Sequence, residues 1–374
     1  MKRLWVFNYD FEFRLSGRPP EKAGAKTPWP LLNRSSLWVA PLMEPDDLLL
    51  TYEMPPPLVM THLEHLLGFA PSLLVAPPKL ETNSPLEDLD SAIQQAHDLQ
   101  LWGQPEPRGL MRHINSKGFT YQFREEFLPK SFRIPARWFE AKGLQREDLE
   151  RAMEDFAQEY GPFYVKDPYG SSGAYQSFHP LPEELPKLWS WALVSGGLLL
   201  EQRLERQGEE SLHFDFTDAG WIYRGRVRLE STPEGAYKGS RVELEETPEY
   251  IENLYPLLER IQDLGYRGPM GVDMLHSPLG QPRLLEINPR WTMGRVALEW
   301  QKKLDFMGVL SLRRLTLPNS FHIDALELPP GVHPIHFARG KKTWITLLYL
   351  AQNEVDLTWK EEKIKAKILQ ATAS

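Results

Sequence analysis

The sequence predicts an α/β (α+β) protein in which a smaller N-terminal α/β unit precedes two α+β subdomains. Three observations carry this. The chain has 374 residues, enough for two or three units at roughly 100 to 200 residues each. Its composition, 41% hydrophobic and 25% charged, is that of an ordinary globular protein. Short apolar runs alternate with segments of helical periodicity, which is the pattern of mixed folds.

The first unit, residues 1–112, contains apolar runs typical of short strands at Leu4–Phe7, Leu48–Tyr52 and Leu73–Ala76. Candidate helices lie at about 57–68 and 86–100. Proline-rich connections separate these elements, and proline fixes turns and extended crossings. This part of the chain therefore predicts a small, irregular α/β unit.

The second unit, residues 113–200, has a clearer pattern. Leu149, Met153, Phe156 and Tyr160 recur at spacings that place them on one face of a helix. A strand is expected directly afterwards, over 162–166.

The third unit, residues 201–318, opens with extended segments and continues with a helix from Thr247 to Gly265, in which Pro256 predicts a kink. Two strands, Gly271–Leu275 and Arg283–Ile287, then flank a turn. Residues 319–374 form a C-terminal extension of strand-like pieces and a charged helix, with no predicted function.

Charge and cysteine content exclude several classes of function. The net charge is −8 and no basic block is long enough to follow a phosphate backbone, so we expect no nucleic acid partner. No cysteine occurs, which excludes thiol nucleophiles, disulfides and cysteine-ligated metal. No apolar run approaches the roughly 20 residues of a membrane span, and the polar residues after Phe7 interrupt any signal-peptide core. We expect a cytoplasmic protein without a membrane partner.

Lys166 ends the predicted strand and is followed by a loop of small residues that contains Gly170, Ser171, Ser172 and Gly173. Small residues allow successive backbone N–H groups to surround phosphate oxygens, and the lysine adds a charge. The lysine precedes the glycines, so this is not a Walker A loop. Taken alone, Gly-Ser-Ser-Gly is more often a hairpin turn.

The second candidate site lies on the two strands near residue 280. Side chains two apart on a strand share a face, so Glu286 and Asn288 project together, beside Asp273 of the adjacent strand. Oxygen ligands of this kind suit magnesium, which binds one or two carboxylates plus nucleotide phosphates. Arg290 continues the same face and could clamp a phosphoryl group or a substrate carboxylate. The alternative is a surface hairpin with solvated acids.

Four segments follow one another along the chain: Val-Lys-x-Pro-x-Gly-Ser-Ser-Gly, Leu-Leu-Leu-Glu-Gln-Arg-Leu-Glu, Gly-Val-Asp and Leu-Leu-Glu-Ile-Asn-Pro-Arg. In this order they resemble the motifs of the ATP-grasp enzymes. That group includes D-alanine–D-alanine ligase and biotin carboxylase. The resemblance covers about 113–300. It implies an ATP-grasp fold, with the nucleotide held between the two α+β subdomains.

The resemblance also implies roles for single residues. Lys117 and Lys166 would contact the ATP phosphates, Glu201 and Gln202 would receive adenine above Leu204, and a glutamate would hold the ribose. Two extra residues in this hinge leave Glu209 and Glu210 open, and we favour Glu210. Asp273, Glu286 and Asn288 would hold Mg²⁺, or alternatively Mn²⁺, and Arg290 and Lys166 would act in catalysis. Gly271 stands where some peptide-forming members have arginine, which weakens the analogy to the D-alanine ligases.

The implied activity is an ATP-dependent ligase that converts a substrate carboxylate into an acyl phosphate, for attack by an amine or similar nucleophile. The acid would be a small molecule or a peptide, and the sequence does not give the oligomeric state. Two alternatives stay open: a kinase on the same fold, and a nucleotide-binding regulatory module without turnover.

Three further groups have competing interpretations. His333 and His336 suggest a metal site but lack supporting ligands. His213 and Asp215 could act as acid and base, or could simply pack. Five basic residues would suit an anionic acceptor or an exposed strand face; they are Arg224, Arg226, Arg228, Lys238 and Arg241.

Overall fold

The protein was analysed as a computed structural model, which describes residues 2–7, 15, 34–75, 97–103, 108–170, 175–232, 236–242, 247–278, 280–319, 321–339 and 343–373. Within these ranges the strands form three sheets. None of the helices in this part of the chain combines the length and the apolar character that a membrane crossing requires.

The N-terminal sheet is parallel and has the order β3-β2-β1-β4. Its strands are β1 (Arg3–Val6), β2 (Leu48–Thr51), β3 (Ser72–Val75) and β4 (Asp98–Leu101). A 3-10 helix at Arg34–Leu42 precedes β2, and α1 (Pro57–Leu67) connects β2 to β3. The helix expected at 57–68 is confirmed. Of the one expected at 86–100, residues 86–96 lie outside the described ranges and the end is strand β4.

The second unit begins with α2 (Arg108–Ile114) and α3 (Lys117–Phe127). An antiparallel sheet of order β5-β8-β6-β7 follows. Its elements are β5 (Ala136–Glu140), α4 (Arg146–Tyr160), β6 (Phe163–Lys166), β7 (Gln176–Phe178), α5 (Leu185–Ser195) and β8 (Gly197–Gln202). Leu149, Met153 and Phe156 of α4 are buried, as their periodicity predicts.

The third sheet has eight antiparallel strands in the order β13-β12-β9-β10-β11-β14-β16-β15. They are β9 (Gly208–Thr217), β10 (Gly220–Ser231), β11 (Tyr237–Val242), β12 (Gly268–His276), β13 (Arg283–Asn288), β14 (Val309–Leu317), β15 (Val332–Ala338) and β16 (Thr343–Ala351). The helices of this part are α6 (Tyr255–Asp263), α7 (Met293–Leu304) and α8 (Glu354–Ala373). The strands of the C-terminal extension thus complete the sheet that β12 and β13 begin.

Two hydrophobic cores lie on opposite faces of this sheet. One face packs Leu212, Phe214 and Val272 against α3 and α6. On the other face, α7 contributes Val296 and Trp300 to a core that also includes residues from β1, the Arg34–Leu42 helix, β16 and α8. The predicted metal ligands Asp273, Glu286 and Asn288 lie on this second face.

Candidate active site

The predicted metal ligands meet on one face of the β12–β13 hairpin. Asp273 pairs with Glu286 and Gly271 with Asn288, so both polar positions of β13 face the same side as Asp273. The Asn288 side-chain amide donates a hydrogen bond of 2.9 Å to Asp273, and the Arg290 guanidinium donates one of 3.1 Å to the side-chain oxygen Oδ1 of Asn288. The structure therefore brings Asp273, Glu286, Asn288 and Arg290 together.

Asp273 is the most perturbed acid of this group. Burial, reinforced by the charge of Glu286, raises the pKa of Asp273 to about 7. In the described ranges, no three histidine, aspartate or glutamate side chains are arranged to hold a metal ion. A cation at the hairpin would therefore rely on two carboxylates and the Asn288 oxygen, completed by nucleotide phosphates, which is a usual set for magnesium.

Lys117 reaches this hairpin from α3. Ser116 caps the helix by accepting a hydrogen bond of 3.1 Å from the Gly118 N–H, which fixes Lys117 at its first position. The Lys117 ammonium lies 2.6 Å from Glu286 and also donates to the carbonyl oxygen of Gly170. Lys117 thereby connects the phosphate loop of the second unit with the acidic hairpin of the third.

A buried aspartate anchors the start of the phosphate loop. Asp167 is fully buried; its carboxylate accepts hydrogen bonds from the Tyr169 N–H at 2.9 Å and from the Ser195 hydroxyl at 2.6 Å. The Gly170 N–H donates to the Asp167 carbonyl oxygen at 3.3 Å. Sequence reasoning missed Asp167, although a charged residue directly after a buried strand was an available signal. The expected phosphate contacts of Ser171, Ser172 and Gly173 lie outside the described residues.

Lys166 ends β6 and bonds the carboxylate of Glu201, which precedes the last residue of β8. Arg124 donates to the other Glu201 oxygen through two N–H groups, each at 3.0 Å. Although burial opposes ionisation, Lys166 and Arg124 hold the pKa of Glu201 below its usual range. The Gln202 side chain donates to the Tyr160 carbonyl oxygen at 2.9 Å. Both hinge side chains are thus engaged within the protein, and Leu204 is half-buried just beyond them.

Comparison with known proteins gives a fold but no sequence relative. No protein-family model and no curated protein matches the chain. Among solved structures, a biotin carboxylase from Campylobacter jejuni in a β,γ-ATP complex is similar at a TM-score of 0.59 and 12% identity, covering 98% of this chain and 91% of that one. An N5-carboxyaminoimidazole ribonucleotide synthetase from Thermus thermophilus gives 0.55 and 14%, covering 99% and 98%.

A third match is the biotin carboxylase domain of the Hydrogenobacter thermophilus 2-oxoglutarate carboxylase, solved with MgADP, ADP and bicarbonate. It has a TM-score of 0.58 and 14% identity, and the match covers 94% of this chain and 86% of that domain. These three proteins are ATP-grasp enzymes. The chain has the ATP-grasp fold.

Within the ATP-grasp fold, the alternation of β9 places the two hinge glutamates on opposite faces of the sheet. Glu209 pairs with Leu275 and shares its face with Ser211, which pairs with Asp273. Glu210 lies on the opposite face, 7% exposed, where it accepts a hydrogen bond from Tyr250 and lies 2.6 Å from His276. The Glu210 side chain thus points away from the acidic hairpin, and its role at the ribose stays a prediction. Glu209 lies on the same side as the hairpin, where it is paired with Arg206 at 2.6 Å and accepts a hydrogen bond of 2.8 Å from Ser231.

Two other candidate residues, His213 and Asp215, are held by neighbouring side chains within the ATP-grasp fold. His213 is buried under the start of α7, and burial, followed by the charge of Arg295, lowers its pKa to about 3. Asp215 is bound by Arg295 at 2.7 Å and by Arg224 at 2.6 Å. A neutral histidine and a neutralised aspartate do not form an acid–base pair.

The expected basic cluster is also largely neutralised. Arg226 lies 3.4 Å from Glu210, and Arg241 contacts Glu354 at 2.6 Å. His333 and His336 face different neighbours: His333 lies 3.0 Å from a ring nitrogen of His62, while His336 packs against Trp38. Neither group supplies a second site.

Proposed function

We propose that the protein is an ATP- and magnesium-dependent ligase that activates a substrate carboxylate as an acyl phosphate for attack by an amine or a similar nucleophile. The observation that carries this proposal is the meeting of Lys117 with Glu286 across the cleft. A lysine from the nucleotide side and an acid from the hairpin converge there, beside Asn288 and Arg290. Cations and metal-type oxygen ligands at one point suit phosphoryl transfer, in which charge stabilisation and positioning do most of the catalytic work.

The nucleotide would lie between the second and third sheets. Lys117, Lys166 and the backbone from Gly170 to Gly173 would bind its phosphates. Because the side chains of Glu201 and Gln202 are engaged, adenine recognition there would use the hinge backbone, with Leu204 against the ring. Glu209, on the cleft side of β9, would bind the ribose hydroxyls.

Magnesium fits the chemistry of the hairpin. Asp273, Glu286 and Asn288 would hold it, and Mn²⁺ would use the same oxygen donors. The ion would neutralise charge on the terminal phosphates of ATP. Glu286 is bonded by Lys117 here, so loading the site would transfer the Lys117 ammonium to phosphate oxygens.

The reaction has two balanced steps. A carboxylate oxygen of the substrate attacks the γ-phosphorus of ATP, ADP leaves, and an acyl phosphate forms. An amine then attacks the acyl carbon, inorganic phosphate leaves, and the amine loses a proton. Arg290, held by Asn288 at 3.1 Å, is placed to neutralise the phosphoryl oxygens in the first step.

The acid and the acceptor are proposed as small molecules, or as a peptide carboxylate with a nucleophilic acceptor. Similar structures hold ligands of the smaller size. One contains bicarbonate with MgADP, and another, a carboxyaminoimidazole synthase from Aspergillus clavatus, contains ADP with 5-aminoimidazole ribonucleotide. Both support a small-molecule acceptor for this chain.

The test measures ADP and free phosphate together over a panel of acids and amines. A ligase releases both only when acid and nucleophile are present. A phosphorylated product with no free phosphate would identify a kinase, and tight ATP binding without ADP formation across the panel would favour a regulatory module. Either result would refute the ligase.

A variant links turnover to the hairpin. Glu286→Ala should abolish turnover while the circular dichroism spectrum stays that of the wild type. Glu327→Ala is the matched control, because Glu327 is exposed and forms only a surface ion pair with Lys367. Full activity in Glu286→Ala would place the metal site elsewhere.

A further inference from the structure

Helix α3 carries two cations that reach both sides of the cleft. Arg124 follows Lys117 by nearly two helical turns, so both side chains lie on the same face of the helix. Lys117 bonds Glu286 of β13, while Arg124 bonds Glu201 of β8 and the Leu284 carbonyl oxygen of β13 at 3.2 Å. The helix itself contacts β5, β8 and β13. Arg124 is therefore a fixed element between the two sheets.

Arg124 and Glu201 form a buried charge pair. The Arg124 side chain has no exposed surface and that of Glu201 is 3% exposed. One Glu201 oxygen accepts both Arg124 hydrogen bonds, and the other accepts the bond from Lys166. Two cations thus share one carboxylate, and Lys166 is the more accessible of them, at 11%.

This arrangement decides what happens when Lys166 leaves Glu201. A buried carboxylate without a partner costs several kcal/mol, so a glutamate with Lys166 as its only partner would hold that lysine firmly. With Arg124 in place, Glu201 remains compensated after Lys166 has turned away. The two cations on one carboxylate leave a net positive charge, which favours the approach of an anion.

We propose that Arg124 is a positioning residue that frees Lys166 for the nucleotide phosphates by holding the charge of Glu201. The inference rests on the proposed nucleotide site. It assigns no contact between Arg124 and the nucleotide. Arg124 acts on the phosphates only through Glu201 and Lys166.

The test is a double-mutant cycle on the binding of MgADP, measured by calorimetry, which needs no substrate and no turnover. Arg124→Met should weaken MgADP binding about tenfold or more, the loss expected when a charge-assisted hydrogen bond to phosphate is withheld. In the Glu201→Gln background there is no carboxylate to retain Lys166. Adding Arg124→Met to Glu201→Gln should therefore change the affinity less than about threefold, on the same scale.

Arg137→Met is the matched control. Arg137 belongs to the same unit and is paired with Glu159 at 3.0 Å, but both side chains are exposed. It should leave MgADP binding unchanged. An equal loss from Arg124→Met in both backgrounds would show that Arg124 only supports packing, and an unchanged affinity in the wild-type background would also overturn its role.

Two variants decide the matter if Arg124→Met alone does not fold. Arg124→Lys keeps the charge, and Arg124→Met with Glu201→Gln removes both charges. Each should bind MgADP within about threefold of its parent, wild type and Glu201→Gln respectively. A tenfold loss in either would overturn the inference. If the wild-type protein itself bound no MgADP, the proposed function would be refuted as well. If the wild type bound MgADP and Arg124→Met left the affinity unchanged, only the role of Arg124 would be refuted.

Discussion

The buried His213 makes a prediction about acid stability that can be worked out from its surroundings. The ring lies beneath the start of α7, with Nδ1 3.5 Å from the Thr292 hydroxyl and with Arg295 close by. Burial and the Arg295 charge lower the pKa of His213 from 6.5 to about 3. The folded state therefore binds fewer protons than the unfolded state over this range.

The direction in which pH changes the free energy of unfolding follows from this difference in bound protons. Above pH 6.5 the histidine is neutral in both states and does not change the free energy of unfolding with pH. As the pH falls below 6.5, the unfolded chain gains a proton that the folded chain refuses, and the free energy of unfolding decreases. One and a half pH units separate 6.5 from pH 5, so at about 1.4 kcal/mol per unit the loss at pH 5 is about 2 kcal/mol.

The assay is urea unfolding at pH 8 and at pH 5, followed by tryptophan fluorescence and circular dichroism. His213→Gln should reduce the difference in the free energy of unfolding between the two pH values by about 2 kcal/mol, whatever its effect at pH 8. His322→Gln is the control, because His322 is exposed. If the His213 variant lost as much stability as the wild type between pH 8 and pH 5, burial of a neutral ring would be the wrong explanation.

Two further predictions concern the same sheet. In Gly294→Ala the added Cβ would lie 2.6 Å from a ring nitrogen of His213, so we expect a loss of about 1 to 3 kcal/mol in urea unfolding, which Gly208→Ala, with open space around it, should not show. Glu209→Gln should weaken MgADP binding about tenfold in calorimetry, since it removes a charge from the proposed ribose site. Glu210→Gln should lower the stability and leave the MgADP affinity within about threefold of the wild type. A larger loss of affinity in Glu210→Gln than in Glu209→Gln would identify Glu210 as the ribose ligand.

The sequence predicted the acidic hairpin well because its signal is local. Glu286 and Asn288 lie two apart on a strand, and two adjacent strands joined by a short turn fix their distance from Asp273. The signal for Lys166 was equally local, since this lysine ends a buried strand. The pairing of Lys166 with Glu201 was beyond such reasoning, since the partners are 35 residues apart and meet only through sheet topology.

The choice between Glu209 and Glu210 shows the limit of local reasoning. A shift of one residue in a strand moves every side chain to the other face, and the hinge before β9 did not specify where the alternation begins. The predicted kink at Pro256 is wrong, because Pro256 lies at the start of a helix and not inside one. A 3-10 helix, Glu249–Leu254, ends just before it, and α6 begins at Tyr255, with Pro256 in the first turn, where no N–H is needed.

The core beneath α7 is built from parts of the chain that are far apart in the sequence. Trp5 and Trp38 from the start of the chain share that core with Leu347 and Leu357 from its end. The N-terminal and C-terminal parts of the described chain therefore share one hydrophobic core. The β5-β8-β6-β7 sheet, which lies between them in the sequence, has a core of its own. A chain cut before residue 319 would lose part of the shared core, and with it the support of its own N-terminus.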